Sequence, residues 1–343
     1  MEIGIFTFVE HTKDPLTGER VSAKQRIKDL LEEVELAEKV GLDIFGIGEH
    51  HRPDFLASSP ATLLAAAAAR TEKIRLTSAV TVLSSDDPVR VFQQFAEVDL
   101  ISNGRAEIMA GRGSFTESFP LFGYSLDDYD ELFSEKLDLL LKIRDSEKVT
   151  WSGSHRAKLD DIGVYPRPAQ KHLPVWLAAG GNPGSAVRAG KLGLPLALAI
   201  IGGKPAQFVP FVDLYKQTYR EHHKGKPQVS INSHGFIADT TEKAVEEYWP
   251  HYEYFMEFGH RERGWPKPTR ESFDIARDKD SAMILGNSDE VAEKIIYEHR
   301  LFKNTRFNLQ ISIATMAHDK VLHCIELLGT KVAPIVRKNT ANS

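Results

Sequence analysis

The feature that most constrains the fold of this 343-residue chain is a regular alternation between short apolar segments and longer amphipathic segments. Residues 3–9 are apolar, β-branched and aromatic, which is typical of a buried strand, and residues 27–34 then repeat apolar side chains at helical spacing. Eight strands are predicted in this way, at residues 3–9, 44–48, 74–83, 106–110, 175–179, 195–201, 229–238 and 307–313. Each is followed by a helical pattern, and helical crossovers are the connections that parallel strands require.

Eight alternating units favour a (β/α)8 TIM barrel over a doubly wound open sheet. An open dinucleotide-binding sheet should carry G-x-G-x-x-G after its first strand, whereas residues 10–13 read Glu-His-Thr-Lys. Two stretches, at about 150–168 and 250–280, break the alternation and are predicted to be insertions. We therefore predict one barrel domain over residues 1–335, followed by a polar C-terminal tail at 336–343.

Charge and apolar content exclude several classes of partner. Lysine and arginine number 43 against 48 aspartates and glutamates, so the net charge of −5 offers no basic excess for nucleic acid. The longest apolar stretches, 63–69 and 194–201, are far shorter than the roughly 20 residues of a membrane span. One cysteine, Cys324, cannot form an internal disulfide, and residues 1–6 do not read as a secretory leader. We expect a cytoplasmic protein with no nucleic-acid or membrane partner.

The second strand ends in two adjacent histidines, His50 and His51. In a barrel the residues after each strand gather on the catalytic rim, and neighbouring strand residues point in opposite directions. One imidazole can therefore face the barrel mouth as a general base or hydrogen-bond donor while the other packs against the shell. A loop histidine bound to a backbone carbonyl is the alternative interpretation of the same pattern.

Two other strand ends suggest an anion site. Arg112 lies between glycines in the segment 111–114, which lets the backbone approach a ligand while a fixed cation reaches a phosphate. Gly180 and Gly181 precede a predicted helix whose first turn contains Ser185, and helix N-termini attract phosphates. A salt-bridged arginine and an ordinary capped turn are the corresponding structural interpretations.

The order and spacing of these landmarks carry a family resemblance. They are Glu49-His50-His51, Asp87-Pro88-Val89-Arg90, Ser102-Asn103-Gly104-Arg105, Gly111-Arg112-Gly113, Pro174-Val175-Trp176 and Gly180-Gly181. Together they resemble the bacterial luciferase-like monooxygenases, a family of flavin-dependent (β/α)8 barrels. The resemblance covers most of the chain and is weakest over 250–280.

This resemblance implies the cofactor FMN and a role for each site residue. The residues implied at its phosphate are Arg112, Ser114, Gly180, Gly181 and Ser185. Ala79 and Val80 are implied to lie behind the isoalloxazine, at a peptide bond that is often cis in the family. His50 matches the histidine treated as catalytic in luciferases, and His51 is its neighbour. Luciferases carry a cysteine where this chain has Gly111, which argues against light-emitting aldehyde chemistry.

The function that the resemblance implies is a monooxygenase that uses reduced FMN and dioxygen to oxygenate a small organic substrate. No nicotinamide site is legible, so a separate flavin reductase is expected to supply the reduced flavin. The stretch 250–280 is expected to form a lid, with Trp265 and Phe273 as its walls. A homodimer through the predicted helices at 60–70 and 89–100 is also implied.

Three alternatives remain open at this point. A deazaflavin-dependent dehydrogenase of the same family would transfer hydride and ignore dioxygen. A metal-dependent barrel hydrolase would use Glu49, His50 and His51 as ligands, whereas the preferred interpretation assigns no metal ligand. A non-catalytic partner subunit would bind flavin without oxygenating anything.

Overall fold

Eight parallel strands form a closed barrel in the computed structural model, which describes residues 1–341. We number them β1 Glu2–Thr7, β2 Ile44–Ile47, β3 Arg75–Ser78, β4 Ala106–Gly111, β5 Val175–Ala179, β6 Leu196–Ala199, β7 Val229–Ile237 and β8 Arg306–Gln310. Closure comes from β8, which pairs with β7 on one side and with β1 on the other, Arg306 lying opposite Glu2. The predicted TIM barrel is confirmed.

Helices cover the outside of the barrel. Those that follow the strands are Ala23–Lys39, Pro60–Ala68, Pro88–Ile101, Tyr129–Asp145, Pro183–Leu192, Val209–His222, Ser288–Phe302 and His318–Leu327. The helix Pro88–Ile101 begins at a cap: Asp87 accepts hydrogen bonds from the N–H groups of Val89 and Arg90, with Pro88 at the first helical position. This helix therefore begins where the local sequence favours a helix start.

The third predicted strand, 74–83, is divided in the structure. β3 ends at Ser78, the peptide bond between Ala79 and Val80 is cis, and a short strand Thr81–Val82 then pairs with the end of β4. The cis bond that the resemblance implies is therefore present at that position. It turns the chain between β3 and Thr81–Val82, at the end of the barrel where the strands finish.

The insertion predicted at 150–168 is an antiparallel hairpin. Its strands are Lys148–Trp151 and Leu159–Gly163, so it begins slightly earlier than predicted. The hairpin follows the helix Tyr129–Asp145 and is separate from the barrel sheet.

The break in structure predicted at residue 250, where the insertion 250–280 begins, does not occur, because residues 241–263 form one continuous helix. This long helix, Thr241–Arg263, passes through Pro250. An internal proline costs a helix roughly 3 kcal/mol or more, which explains why the sequence pattern suggested a break. The Thr240 cap and the fully buried Tyr248 and His251 stabilise the helix through local and tertiary contacts. A shorter helix, Arg270–Ala276, follows.

The boundary predicted at 335 falls inside a helix. Ala333–Thr340 is helical, and Val336 and Thr340 are buried, so this part of the predicted polar tail packs against the helix Ser288–Phe302. A helical periodicity this short, flanked by polar residues, is easily mistaken for a tail. Residues 342 and 343 lie outside the described residues.

The barrel interior changes character along its axis. At the end where the strands begin, the buried Arg306 guanidinium bonds the Glu107 carboxylate at 2.7 and 3.2 Å, and Glu107 also accepts from Arg75 at 3.0 Å. Halfway up, Asn308 donates to Asn232 at 2.9 Å. None of the helices in residues 1–341 is both long and apolar enough to span a membrane.

A buried carboxyl group makes stability pH-dependent. Glu298 is 1% exposed, and among the described residues neither of its oxygens has a hydrogen-bond partner. Burial raises the pKa of Glu298 to about 8, although the nearby Lys294 opposes this. Below the ordinary glutamate pKa, folded and unfolded chains are both protonated. As pH rises toward 8, only the unfolded chain ionises, so folding loses up to about 1.4 kcal/mol per pH unit.

We therefore expect Glu298→Gln to become progressively more stable than the wild type between pH 5 and pH 8, because glutamine cannot ionise. Urea denaturation midpoints at pH 5, 6, 7 and 8 measure this difference. Glu293→Gln, an exposed change on the same helix, is the control and should show no such trend. A difference between Glu298→Gln and wild type that is constant with pH would contradict the assignment.

Candidate active site

His50 lies buried at the end of β2, enclosed by aromatic rings. Its Nδ1 is 2.8 Å from Oε1 of Glu117, and its ring stacks on Phe55 at 4.4 Å between centroids. Phe8 and Phe115 contact the same imidazole at 4.6 and 4.7 Å. With Nδ1 donating to the carboxylate, the neutral ring keeps Nε2 as an unprotonated acceptor.

Glu117 is held in its ionised form by this contact. Partial burial acts to raise the pKa of Glu117, but the hydrogen bond from His50, the backbone hydrogen bonds and the charge of His50 together outweigh it, so the pKa lies below its ordinary value. The same oxygen also faces the backbone N–H of His51 at 3.4 Å. Glu117 therefore orients the His50 ring, as the third member of a catalytic triad orients its histidine.

His51 points the other way, as strand alternation predicts. Its Nε2 is 2.8 Å from Oε1 of Glu49, whose second oxygen accepts from the Val82 N–H at 2.9 Å. The hydrogen bond to Glu49 raises the pKa of His51, with burial acting in the opposite sense. His51 thus joins the end of β2 to the strand Thr81–Val82 that follows the cis bond.

The two imidazoles do not form a shared metal site. His50 contacts Glu117 while His51 contacts Glu49, so each ring is committed to a different carboxylate. Within residues 1–341, the one group of three or more ligand side chains that converges lies elsewhere in the molecule. The ligand set Glu49, His50 and His51 required by the hydrolase alternative is therefore not assembled.

An apolar floor lies between the strands beside the histidines. Met109, Trp176 and Ala197 form a small buried cluster that is separate from the main core, and Val80 and Ala178 pack against it with part of their surface open. Val80 belongs to the cis peptide. A flat apolar surface of this kind is what an aromatic ring system can lie on.

Gly111 is required by this floor. A Cβ at position 111 would lie 2.6 Å from Cγ2 of Val80, closer than two carbon atoms can approach. A cysteine here, as in luciferases, would displace Val80. The position of the Val80 side chain therefore explains why this chain has glycine, and not cysteine, at position 111.

The segment 180–185 forms an open turn at a helix N-terminus. A Cβ placed on Gly180 would meet no described atom within 4 Å, and Gly181 has φ +104°, a conformation that favours glycine. Asn182 caps the helix by accepting from the Gly184 N–H at 2.8 Å, and Ser185 is buried in the first turn. The Gly184 N–H, one of the helix N-terminal groups predicted to bind a phosphate, is therefore already bound to the Asn182 side chain.

Arginines follow the two paired strands β4 and β5. Arg112 is 2.5 Å from the exposed Asp130 and lies over the Tyr129 ring at 5.3 Å. Arg188, on the helix that begins at Pro183, was not identified from the sequence. Partial burial and then the charge of Arg112 lower the pKa of Arg188, so the two guanidiniums lie close enough to repel each other. An anion bound between them would relieve that repulsion.

Ser114 occupies a different position from the other predicted phosphate residues. It is exposed, and its backbone carbonyl accepts a hydrogen bond from Arg263 at the end of the long helix. Its role at a phosphate stays a prediction.

The long helix contributes aromatic residues to this end of the barrel. Phe258 stacks on Phe115 at 6.3 Å, and Arg52 lies over Phe258 at 4.7 Å and bonds Glu262 at 3.0 Å. These contacts join the helix to the loops that follow β2 and β4.

Trp265 and Phe273, the two residues expected as lid walls, lie in different environments in the structure. Trp265 packs against Phe255, whose ring also meets the edge of His234 on β7. Phe273 is fully buried against Trp249 and Tyr252 and is a core residue of this segment.

Sequence reasoning missed residues that act through distant contacts. Glu117 lies 67 residues from His50 along the chain, and no spacing rule connects them. Arg188 follows the glycine pair by less than three helical turns, so a basic residue on the first turns of that helix was a usable signal.

A model of the luciferase-like monooxygenase family matches residues 1–302 of the chain. An N-acetyl-S-alkylcysteine monooxygenase of Bacillus subtilis is 30% identical over 188 residues, which are 54% of this chain and 54% of that protein.

Two solved structures share the fold over nearly the full length of both chains. The oxygenating constituent of 3,6-diketocamphane monooxygenase from Pseudomonas putida, in complex with FMN, has a TM-score of 0.78 at 19% identity and covers 98% of each chain. An F420-dependent secondary alcohol dehydrogenase with an F420–acetone adduct has a TM-score of 0.72 at 21% identity, covering 98% of this chain and 99% of that one. With the family model matching residues 1–302, the chain belongs to the luciferase-like monooxygenase family.

Proposed function

We propose that this protein is a flavin-dependent monooxygenase that uses reduced FMN and dioxygen to oxygenate a small organic substrate. The observation that carries the proposal is the buried His50–Glu117 pair inside an aromatic enclosure at the end of β2. The FMN-bound structural neighbour and the monooxygenase relative support it.

The residues present fit FMN. Arg112, Arg188 and the turn at Gly180, Gly181 and Ser185 offer positive charge, hydroxyl and open backbone to a phosphate. The apolar floor, on which Val80 packs next to its cis bond with Ala79, offers an apolar surface to the ring system. Bound reduced flavin would supply the electrons that activate dioxygen.

The chain's own side chains then have two tasks. Phe8, Phe55, Phe115 and Phe258 exclude water from the space around His50, which protects a reactive species from hydrolysis. His50 Nε2 accepts or returns a proton while Glu117 stabilises the imidazolium through Nδ1.

The partners follow from the same proposal. The fit described above includes no nicotinamide site, so a separate reductase would supply reduced flavin, in keeping with a neighbour described as an oxygenating constituent. We also propose a homodimer through the helices Pro60–Ala68 and Pro88–Ile101. It is supported by Leu100 and Ile101, whose side chains are about half exposed at the end of the second helix. A cytoplasmic location remains part of the proposal.

The test separates oxygenation from hydride transfer. Anaerobic titration with reduced FMN and with reduced deazaflavin compares binding of the two cofactors. Oxygen consumption is then measured with the preferred cofactor against a panel of uncharged organic compounds. Tight FMN binding with substrate-dependent oxygen uptake supports the proposal. Preference for deazaflavin with oxygen-independent turnover of an alcohol would replace it with a dehydrogenase, and flavin binding without any turnover would indicate the non-catalytic subunit.

The phosphate assignment predicts a difference between two flavins. We expect Arg112→Ala and Arg188→Ala each to weaken FMN binding by about ten- to a hundredfold, as loss of a charged hydrogen bond does. Riboflavin lacks the phosphate, so its binding should change little. Flavin fluorescence quenching measures both affinities. Arg144→Ala, which removes an arginine paired with Asp145, is the control, and equal losses for FMN and riboflavin would refute the assignment.

A further inference from the structure

A second group of ligand-type side chains converges outside the active site. Asp128, Glu131 and His155 each direct one ligand atom to a common region, and these atoms all lie within 4.8 Å of one another. Asp128 and Glu131 come from the start of the helix Tyr129–Asp145, whereas His155 comes from the turn of the hairpin. The group therefore combines side chains from two elements, which Glu135 also joins through hydrogen bonds to the hairpin backbone.

The His155 imidazole has an unsatisfied nitrogen in this group. Its Nε2 is shielded from solvent, and within the part of the chain that the structure describes it has no hydrogen-bond partner. It lies 3.6 Å from Oε2 of Glu131, beyond hydrogen-bond distance but close to the separation of two ligands on one metal. A buried nitrogen in this state costs free energy unless something binds it.

The carboxylate of Asp128 is also free for a ligand. Asp128 occupies the N-cap position, where an aspartate usually accepts from the first amides of the helix. In the described chain its side chain makes no such capping bond. An acid at a cap position that does not cap is available for another cation or donor.

The position of His155 is fixed by a residue that is not itself a ligand. Both oxygens of Glu135 accept from the hairpin backbone, from the N–H of Ser154 at 2.6 Å and from that of His155 at 2.9 Å. Arg156 is held by Asp87 at 2.7 Å. The turn is therefore anchored on both sides of the imidazole, which is the support that a metal ligand needs from its surroundings.

We propose that Asp128, Glu131 and His155 bind a divalent transition-metal ion, with Zn²⁺ as the preferred ion. One imidazole nitrogen and two carboxylate oxygens form a donor set that zinc accepts, with water as the fourth ligand. Zinc bonds of about 2.0–2.1 Å place neighbouring ligand atoms about 3.3 Å apart, so the three groups need only a small closing movement.

The ion would link the hairpin to the start of the helix Tyr129–Asp145, next to Arg112 of the proposed phosphate site. Asp128 and Glu131 flank Tyr129 and Asp130, the two residues that contact Arg112. Bound metal would restrain this first helical turn and, through it, the arginine. The site is separate from His50 and does not depend on the proposed oxygenase activity.

The test is zinc binding by the full chain after removal of metals and of any affinity tag. Titration calorimetry with Zn²⁺ should give one ion per chain, and Zn²⁺ should raise the thermal unfolding temperature of the wild type. We expect His155→Ala, Glu131→Gln and Asp128→Asn each to weaken binding at least about tenfold. The matched control is His172→Ala, since His172 also lies 3.8 Å from a single carboxylate, Asp145, outside the converging group. It should bind as the wild type does.

A second measurement uses only the wild type, in case a variant folds poorly. Zn²⁺ should shift the imidazole resonances of His155 in NMR spectra, but not those of the adjacent pair His222 and His223. Absence of zinc binding, unchanged binding by a folded His155→Ala protein, or shifts at His222 and His223 in place of His155 would each overturn the proposal.

Discussion

His50→Ala should lose oxygenation by about a hundred- to ten-thousandfold, the range expected when a general acid–base group is removed. FMN affinity should change little, because the contacts of His50 are Glu117 and three phenyl rings while the phosphate assignment rests on Arg112 and Arg188. Product formation with supplied reduced FMN measures the first quantity, and anaerobic flavin titration measures the second.

The adjacent histidine provides the matched comparison. Nε2 of His51 is already bound to Glu49, so His51→Ala should reduce oxygenation less than His50→Ala does. Glu117→Gln keeps the His50 ring but removes the carboxylate that orients it, and its loss should fall between these two. Equal losses for the two histidines, or loss of FMN binding in His50→Ala, would remove His50 from the role of proton carrier.

The barrel could be predicted from the sequence because its signal is local and repeated. Each strand is a short apolar run, and some of the following helices carry their own cap, as in the segment from Asp87 through Pro88. Where a local rule was overridden by packing, the prediction was wrong. The long helix continues through Pro250 because Tyr248 and His251 are buried on either side of it.

The candidate site was predictable in part for the same reason. His50, His51, Arg112 and the glycine pair come directly after barrel strands, so the fold rule alone places them at one end. Glu117 lies several residues beyond β4 and meets His50 only through tertiary packing. A contact of that kind leaves no periodic or spacing signal in one sequence.

Glu107→Gln should destabilise the fold by about 3–5 kcal/mol, the cost of leaving a buried charge without its partner. Arg306 is 2% exposed, and its two terminal nitrogens bond the Glu107 carboxylate at 2.7 and 3.2 Å. After the substitution, Glu2 remains the partner of Nε at 2.9 Å, which puts the expected loss at the lower end of that range. Urea denaturation at neutral pH measures the change.

Two further variants distinguish a broken ion pair from a general packing defect. Arg75→Gln removes a partly exposed partner of the same carboxylate and should cost only about 0–1 kcal/mol. The double change Glu107→Leu with Arg306→Met replaces the pair by apolar groups and should recover most of the loss. If the double variant is as unstable as Glu107→Gln, the destabilisation comes from shape and not from charge.

Glu107→Gln should also affect the candidate site. The Arg306 guanidinium lies 4.2 Å from the ring centre of Trp176, which is part of the apolar floor together with Met109 and Ala197. An arginine released from Glu107 would no longer hold that indole in place. Glu107→Gln should therefore also weaken binding of riboflavin and FMN to similar extents, since both carry the ring system. The arginine variants at the phosphate end should affect FMN alone, so flavin titration distinguishes a loosened floor from a lost anion contact.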